Sequence, residues 1–230
     1  MTAGVAERRA RANGHVSPAA CPVCRARSAE PFLTIDGLDH WRCAACEARF
    51  LDPRQRLTAA EERAHYLHHE NDPADPRYRA FLARLAEPLM VKLDAGARGL
   101  DYGCGPGPAL AAMLREAGHA VALYDPFFHP NPAPLSGTYD FITCTEVAEH
   151  FHRPAEEFER FDAMLRPGGW LGVMTCFQTD DARFADWHYR KDPTHVVFYR
   201  EATLRRIAAQ RGWRFERPVK DVVLMRKGVT

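Results

Sequence analysis

No stretch of this 230-residue chain approaches the roughly 18 consecutive apolar residues that a membrane span needs, and Met1 to Val16 carries arginines without the apolar core of a secretion signal. The expectation is a soluble, cytoplasmic protein with no membrane partner. An excess of either charge is also missing: 31 Lys and Arg stand against 30 Asp and Glu, so no overall field draws the chain to nucleic acid, although a local patch is still allowed. There is no internal repeat. A disulfide framework is absent too, because seven cysteines is an odd count and only four of them are paired along the sequence. What is present is ordinary globular composition, 46% hydrophobic and 27% charged, enough at this length for at most two compact units.

Patterning divides the chain into four segments. Residues 1–16, rich in Ala, Arg and Gly without periodicity, are expected to form a disordered tail. Residues 17–56 are turn-rich and short of large apolar side chains, so something must staple them. Residues 57–96 turn helical: Thr58 stands as a cap with Glu61 three residues on, and Tyr78, Leu82, Leu85, Leu89 and Leu93 recur at spacings of three and four. This is a helical connector. Residues 97–230 alternate strands (99–102, 120–124, 139–145, 170–176) with helices (109–117, 154–165, 201–210) and end in strands near 214–216 and 222–225 that suit an antiparallel edge hairpin. The fold class is α/β, a mostly parallel sheet covered by helices.

Cys21-Pro-Val-Cys24 and Cys43-Ala-Ala-Cys46 lie 18 residues apart, the spacing of a four-cysteine zinc site in which each pair supplies two thiolates from one tight turn. A redox Cys-x-x-Cys opens a helix in a thioredoxin-like unit and does not come doubled. Four sulfur ligands leave no open position, so the metal is expected to be structural and to make 17–56 a zinc ribbon. Nine arginines against six acids between Met1 and Arg56 are a mild excess, compatible with nucleic acid.

Asp101-Tyr102-Gly103-Cys104-Gly105-Pro106-Gly107 falls between the first strand of the last segment and its helix, the place where α/β sheets bind nucleotide-like ligands. The dinucleotide fingerprint fails, because Pro108 or Leu110 stands where its third glycine belongs. The loop resembles that of class I S-adenosylmethionine-dependent methyltransferases. The resemblance implies a Rossmann-like sheet, glycines that let the backbone approach the amino-acid end of the cofactor, Asp101 beside its ammonium and Asp125 at its ribose. Tyr102, Pro126 and Thr145 complete the cofactor contacts so implied. Tyr139 to Phe151 resembles the fourth strand and exit segment of ubiquinone-pathway O-methyltransferases, and Leu165-Arg-Pro-Gly-Gly169 the turn before their fifth strand. One departure matters: 13 residues, many of them Pro, separate Asp125 from Tyr139, too few for the usual helix, strand and helix. The sheet is therefore expected to be truncated after its second strand, with no assignable adenine reader and with Phe127 and Phe128 either stacking on the base or simply packing.

Methyl transfer is an in-line displacement, which needs an aligned nucleophile and, for a hydroxyl, help in losing a proton. Glu146, Glu149 and His150, at i, i+3 and i+4, would share an arc of about 100° on a helical turn. Asp192 to Glu201 resembles the segment that supplies a further histidine, His195, in ubiquinone-pathway and small-RNA 2′-O-methyltransferases. That resemblance implies a divalent metal, Mg²⁺ or another, held by Glu146, Glu149, His150 and His195 and gripping neighbouring oxygens of the acceptor. Many relatives keep a Glu-His there without metal, His150 then acting as a base or merely hydrogen-bonded, and both options stay open. His188 and Tyr189 are alternative bases or substrate contacts. His65, Tyr66, His68 and His69 either cover the cofactor cleft or form a half-solvated helix face. Cys104 and Cys144 are given no nucleophilic role.

The implied function is S-adenosylmethionine-dependent methylation of a small-molecule hydroxyl. Structured RNA, docked by the zinc ribbon, is the competing acceptor, and a non-catalytic binding protein on the same scaffold is the third possibility.

Overall fold

The structure is a computed structural model and describes residues 20–67 and 72–229. The expected tail at 1–16, together with His68 and His69, lies outside the described residues. Strands β1 (Ala29–Ile35), β2 (Leu38–Cys43) and β3 (Arg49–Leu51) precede helices α1 (Ala59–Tyr66) and α2 (Pro76–Met90). Then follow β4 (Arg98–Tyr102), α3 (Ala109–Glu116), β5 (Ala120–Tyr124), β6 (Tyr139–Thr145), α4 (Pro154–Met164) and β7 (Leu165–Met174). The chain continues through β8 (Val197–Phe198), α5 (Glu201–Gln210), β9 (Arg214–Val219) and β10 (Val222–Arg226). No helix among the described residues is long and apolar enough to cross a membrane.

Two compact units interleave along the chain: one holds residues 20–67, 149–155 and 176–207, the other 72–148, 156–175 and 208–229. The second unit carries a six-stranded sheet in the order β5-β4-β6-β7-β10-β9. Strands β5, β4, β6 and β7 run parallel, while β10 and β9 form the expected antiparallel pair at the edge. Central parallel strands are covered on both faces and therefore read as near-continuous apolar runs; Leu100, Phe141, Ile142, Leu171 and Val173 are fully buried. Leu82, Leu85 and Leu89 of α2 pack with Ala109, Leu110 and Leu114 of α3 and Leu224 of β10 in one core. The leucine rhythm that marked the connector is thus the buried face of α2.

The sheet stops at β5, as the short Asp125–Tyr139 interval requires. That interval holds a turn closed by Asp125 N–H to His129 O (3.1 Å) and its reciprocal (3.0 Å), then a 3-10 turn at Ala133–Ser136. Its four prolines lack ladder donors, which leaves the segment unable to pair as a strand. Leu165–Gly169 was expected as a turn ahead of a strand. It lies instead inside β7, where Tyr139 pairs Leu165 and Phe141 pairs Trp170, so the extra residues bulge out around Gly168 at φ +80°.

The first unit holds a four-stranded sheet, β1-β2-β3-β8, in which β3 pairs β8 through Arg49 with Phe198 and Phe50 with Val197. Its aromatic core centres on Phe184, whose ring meets Phe32, His40 and Phe198 edge-on at 5.1–5.3 Å. Helix α1 starts with the expected capping box, Thr58 and Glu61 satisfying each other's backbone N–H groups.

Candidate functional site

The glycine loop follows β4 in the second unit. Gly103 has φ +76°, and a Cβ there would stand 2.4 Å from Val147 Cγ2, so glycine is required twice over. The N–H groups of Gly103 and Cys104 donate to Tyr124 O (2.8 and 3.2 Å), which folds the loop over the end of β5. Gly105, at φ +65°, donates its N–H to Asp125 Oδ2 (3.0 Å). Asp125 Oδ1 accepts from Phe127 and Phe128 N–H (2.8 and 3.0 Å). A carboxylate offers about four acceptor sites, so three N–H donors leave room for one hydroxyl, less than a carboxylate given over wholly to the ribose. Gly107 lies two residues before α3, and Pro126 is exposed in the turn after Asp125.

Asp101, nearly fully buried in β4, accepts a hydrogen bond from Thr143 Oγ1 (2.7 Å). Burial holds its carboxyl up at about 6, with the Thr143 hydroxyl and the charge of Arg115 only partly opposing. Thr145 ends β6 with a buried Oγ1 that has no hydrogen-bond partner among the described residues. Buried polar atoms are rarely left so.

Tyr102 departs from expectation. Side chains alternate across a strand, so Tyr102 points away from the face of Asp101. Its hydroxyl donates to Glu157 Oε2 (2.5 Å) and accepts from Arg160 Nη1 (2.9 Å), and its ring packs edge-on against Phe161, all on α4. The hydroxyl and ring are thus engaged on α4. Tyr78 of α2, counted in the sequence only as part of an apolar rhythm, carries its hydroxyl near the glycine loop. Burial pushes its hydroxyl up to about 12, and the charges of Asp101, Glu146 and Cys104 add to the shift. The one available signal was a polar handle among leucines.

The second cluster belongs to the first unit. Ligand atoms of Glu149, His150 and His195 all lie within 4.8 Å of one another. Glu149 is fully buried at the 3-10 turn Ala148–His150, and its Oε1 is 3.9 Å from His150 Nε2. His150 Nδ1 faces Thr194 O at 3.1 Å, and His195 Nδ1 faces Tyr189 O at 2.6 Å. A carbonyl only accepts, so each ring donates from Nδ1, and its neutral form carries the lone pair on Nε2. Burial lowers the His195 pKa, with Glu149 and Asp192 pulling the other way. The rings of His150 and His195 meet at 4.7 Å, walled by Tyr66 (5.4 Å to His150) and Tyr189 (4.1 Å to His195). Asp192 stands alongside, its Oδ1 accepting from Thr194 N–H and O–H (2.9 and 2.5 Å) and lying 3.4 Å from His65 Nε2. Burial would raise Asp192, but the charge of His195 and the Thr194 donors outweigh it and hold the acid at about 2.

Glu146, an expected member, and His188, an alternative base, are not in this cluster. The shared helical arc required Glu146 to start a helical turn, yet Glu146 sits in the left-handed region at φ +52°, its N–H donating to Met174 O (2.8 Å). That flip ends β6 and breaks the i, i+3, i+4 relation, so Glu149 and His150 converge with His195 without it. His188 is exposed on the 3-10 turn His188–Lys191 and does not join the set, whereas Tyr189 does, through its carbonyl and ring.

The four paired cysteines are buried and close in space, with Cys21 Sγ to Cys46 Sγ at 3.7 Å and Cys24 Sγ to Cys43 Sγ at 3.6 Å, and no disulfide joins them. A tetrahedral site with Zn–S of about 2.3 Å has sulfur–sulfur edges of about 3.8 Å, which these separations fit. The two turns are built alike. Arg25 and Glu47, each following a second cysteine, sit at φ +62° and +60°, and their N–H groups donate to Cys21 O (3.0 Å) and Cys43 O (2.9 Å). Cys21 and Cys43 donate in turn to Ala26 O and Ala48 O, both at 2.9 Å.

Fold and loop together define the class: a Rossmann-like α/β methyltransferase fold with its glycine loop after the first strand of the sheet. The family model described as a methyltransferase domain matches residues 65–217, more than half of the chain, and the chain belongs to that family. Among curated proteins it is similar to a ubiquinone biosynthesis O-methyltransferase of Vibrio parahaemolyticus, 31% identical over 86 residues that cover 37% of each chain. The same-named protein of Paraburkholderia xenovorans is 30% identical over 86 residues, again 37% of each. The matches thus span little more than a third of these relatives. Among solved structures, a 1,6-didemethyltoxoflavin-N1-methyltransferase of Burkholderia thailandensis with bound S-adenosylhomocysteine aligns at TM-score 0.52 and 18% identity, covering 86% of this chain and 99% of that one, a likeness of fold.

Proposed function

We propose that this methyltransferase transfers the methyl group of S-adenosylmethionine to a hydroxyl oxygen of a small-molecule acceptor, aided by a divalent cation at Glu149, His150 and His195. Cys21, Cys24, Cys43 and Cys46 hold a structural zinc in this account. The observation that carries the acceptor chemistry is the pair of imidazoles whose Nδ1–H groups are committed to Thr194 O and Tyr189 O. Metal-ligating histidines are oriented in this way, the outer hydrogen bond fixing the tautomer and turning Nε2 inward. The name of the curated relatives, O-methyltransferase, supports oxygen as the acceptor atom.

On the cofactor side, Asp101 is a buried acid with a raised pKa, and a carboxylate in that state gains most from an arriving ammonium. The remaining acceptor site of Asp125 suits a ribose hydroxyl, and the unpartnered Thr145 Oγ1 is a further contact for the ligand. Transfer forms a C–O bond while the C–S bond breaks, and the hydroxyl proton has to leave. A divalent cation held by the three side chains supplies Lewis acidity that lowers the pKa of a bound hydroxyl. One carboxylate with two imidazoles would suit Mg²⁺, Mn²⁺ or Zn²⁺.

Methyl-labelled S-adenosylmethionine, offered with ortho-diphenols, simple phenols and primary amines in the presence of Mn²⁺, tests the proposal by mass analysis of the products. Label on an oxygen, with ortho-diphenols fastest, is expected. Label on nitrogen alone, or no cofactor binding by calorimetry at millimolar concentration, would overturn it.

A further inference from the structure

From the sequence the zinc ribbon carried no assigned task, RNA docking being one alternative. Its hydrogen bonds lead to the Glu149, His150 and His195 cluster, by two separate routes within the first unit. From the first cysteine turn, Pro22 O accepts the N–H of Ala155 (3.1 Å), anchoring the far end of the segment that starts with Glu149. From the second, β3 begins three residues after Cys46 and pairs with β8, and Leu51 N–H donates to Val196 O (2.9 Å). Val196 is the neighbour of His195, and its own N–H donates to Glu149 O (2.9 Å). The backbone next to one ligand thus bonds the backbone of another, and β3 supports both. Side chains reinforce the second route: Arg200 bonds Glu47 (3.2 Å), the residue after Cys46, and shares Asp181 with Arg49 (2.8 and 2.6 Å).

We infer that the four-cysteine zinc site is the positioning frame of the Glu149, His150 and His195 cluster, so that zinc governs the acceptor-side cation site and leaves the glycine loop alone. The physical reason is that β3 has only three residues, so the metal between the two cysteine turns is needed to hold β3 and the Pro22 turn in place. Once β3 and the Pro22 turn are released, Val196 and Ala155 each lose a backbone partner, and three donors that must converge within a few ångströms no longer do. Outer partners of metal ligands are worth tenfold to a hundredfold in affinity when single hydrogen bonds are lost, by order of magnitude. The inference rests on both metal assignments proposed above.

The test is amide hydrogen exchange on the full chain, zinc-loaded and zinc-stripped, alongside elemental analysis, S-adenosylhomocysteine calorimetry and Mn²⁺ titration. Stripping is expected to raise exchange in 149–155 and 194–198 by about tenfold or more while 98–105 and 139–145 stay within about threefold. Mn²⁺ binding should weaken by about tenfold or more with S-adenosylhomocysteine affinity within about threefold, and re-addition of zinc should restore both. Cys46→Ser should reproduce the stripped state. Unchanged protection at 149–155 and 194–198 overturns the inference. So does an equal loss of protection in 98–105, which would mark one cooperative collapse. Absence of zinc from the purified protein by elemental analysis removes the zinc assignment and the inference together. Absence of Mn²⁺ binding to zinc-loaded protein removes the cation assignment, and the exchange data then decide alone whether the frame exists.

Discussion

Protonation of Asp101 should set the pH dependence of cofactor binding. Its carboxyl is held at about 6, against an ordinary 3.8, by burial. A shift of about two units corresponds to about 3 kcal/mol favouring the protonated acid in the ligand-free fold, and the side chain is too deeply buried for solvent to screen this away. Because the folded-state pKa is raised, this group's contribution to stability is fully present below about 4 and is lost as pH rises through about 6. Cofactor binding runs the other way, since an ammonium pairs with the carboxylate and not with the acid. Affinity should therefore fall by about tenfold per unit as pH drops below about 6 and level off above it. Calorimetric titration with S-adenosylhomocysteine from pH 5 to 8 measures this directly, because that ligand keeps the ammonium without being consumed. Asp101→Asn should bind about tenfold to a hundredfold more weakly at pH 7.5 and show a flat profile over the same range. A wild-type affinity constant from pH 5 to 8 would refute the placement of the ammonium beside Asp101.

Gly103→Ala should lose about 2 to 3 kcal/mol in urea unfolding, from the left-handed backbone and the clash with Val147, and Val147→Ala in the same chain should recover part of that loss. Tyr102→Phe should leave S-adenosylhomocysteine affinity within about twofold while lowering stability by about 1 kcal/mol, since its hydroxyl serves Glu157 and Arg160. Glu149→Gln should weaken Mn²⁺ binding by about a hundredfold, whereas Glu146→Gln should change it by less than about threefold; equal effects would return Glu146 to the ligand set. Cofactor affinity serves as the control in both.

The strands of the second unit were legible because buried parallel strands write themselves as apolar runs, and the glycine loop because its spacing sits between a strand and a helix. The missing strand after β5 was legible from prolines, which cannot donate to a ladder. Glu146 was misplaced because helical periodicity was extended across a residue that turns left-handed, and nothing in a glutamate's identity announces a positive φ. The direction of the Tyr102 side chain was also available from the pattern: adjacency in a strand means opposite faces, which sends its hydroxyl to Glu157 and Arg160 and not to the side of Asp101. Long-range pairing was out of reach. Two-residue β8 has no periodicity of its own, so its union with β3, which brings the cysteine turns to His195 and Glu149, emerges only once the chain is folded.

Electron paramagnetic resonance titration with Mn²⁺ of the zinc-loaded protein, wild type and His195→Ala, bears most directly on the acceptor chemistry. Chelators are best avoided, because they would also strip the cysteine site. One Mn²⁺ bound per wild-type chain, weakened by about a hundredfold in the variant while zinc content and S-adenosylhomocysteine affinity hold, is the expected result. Mn²⁺ bound equally by both proteins, or by neither, would contradict it.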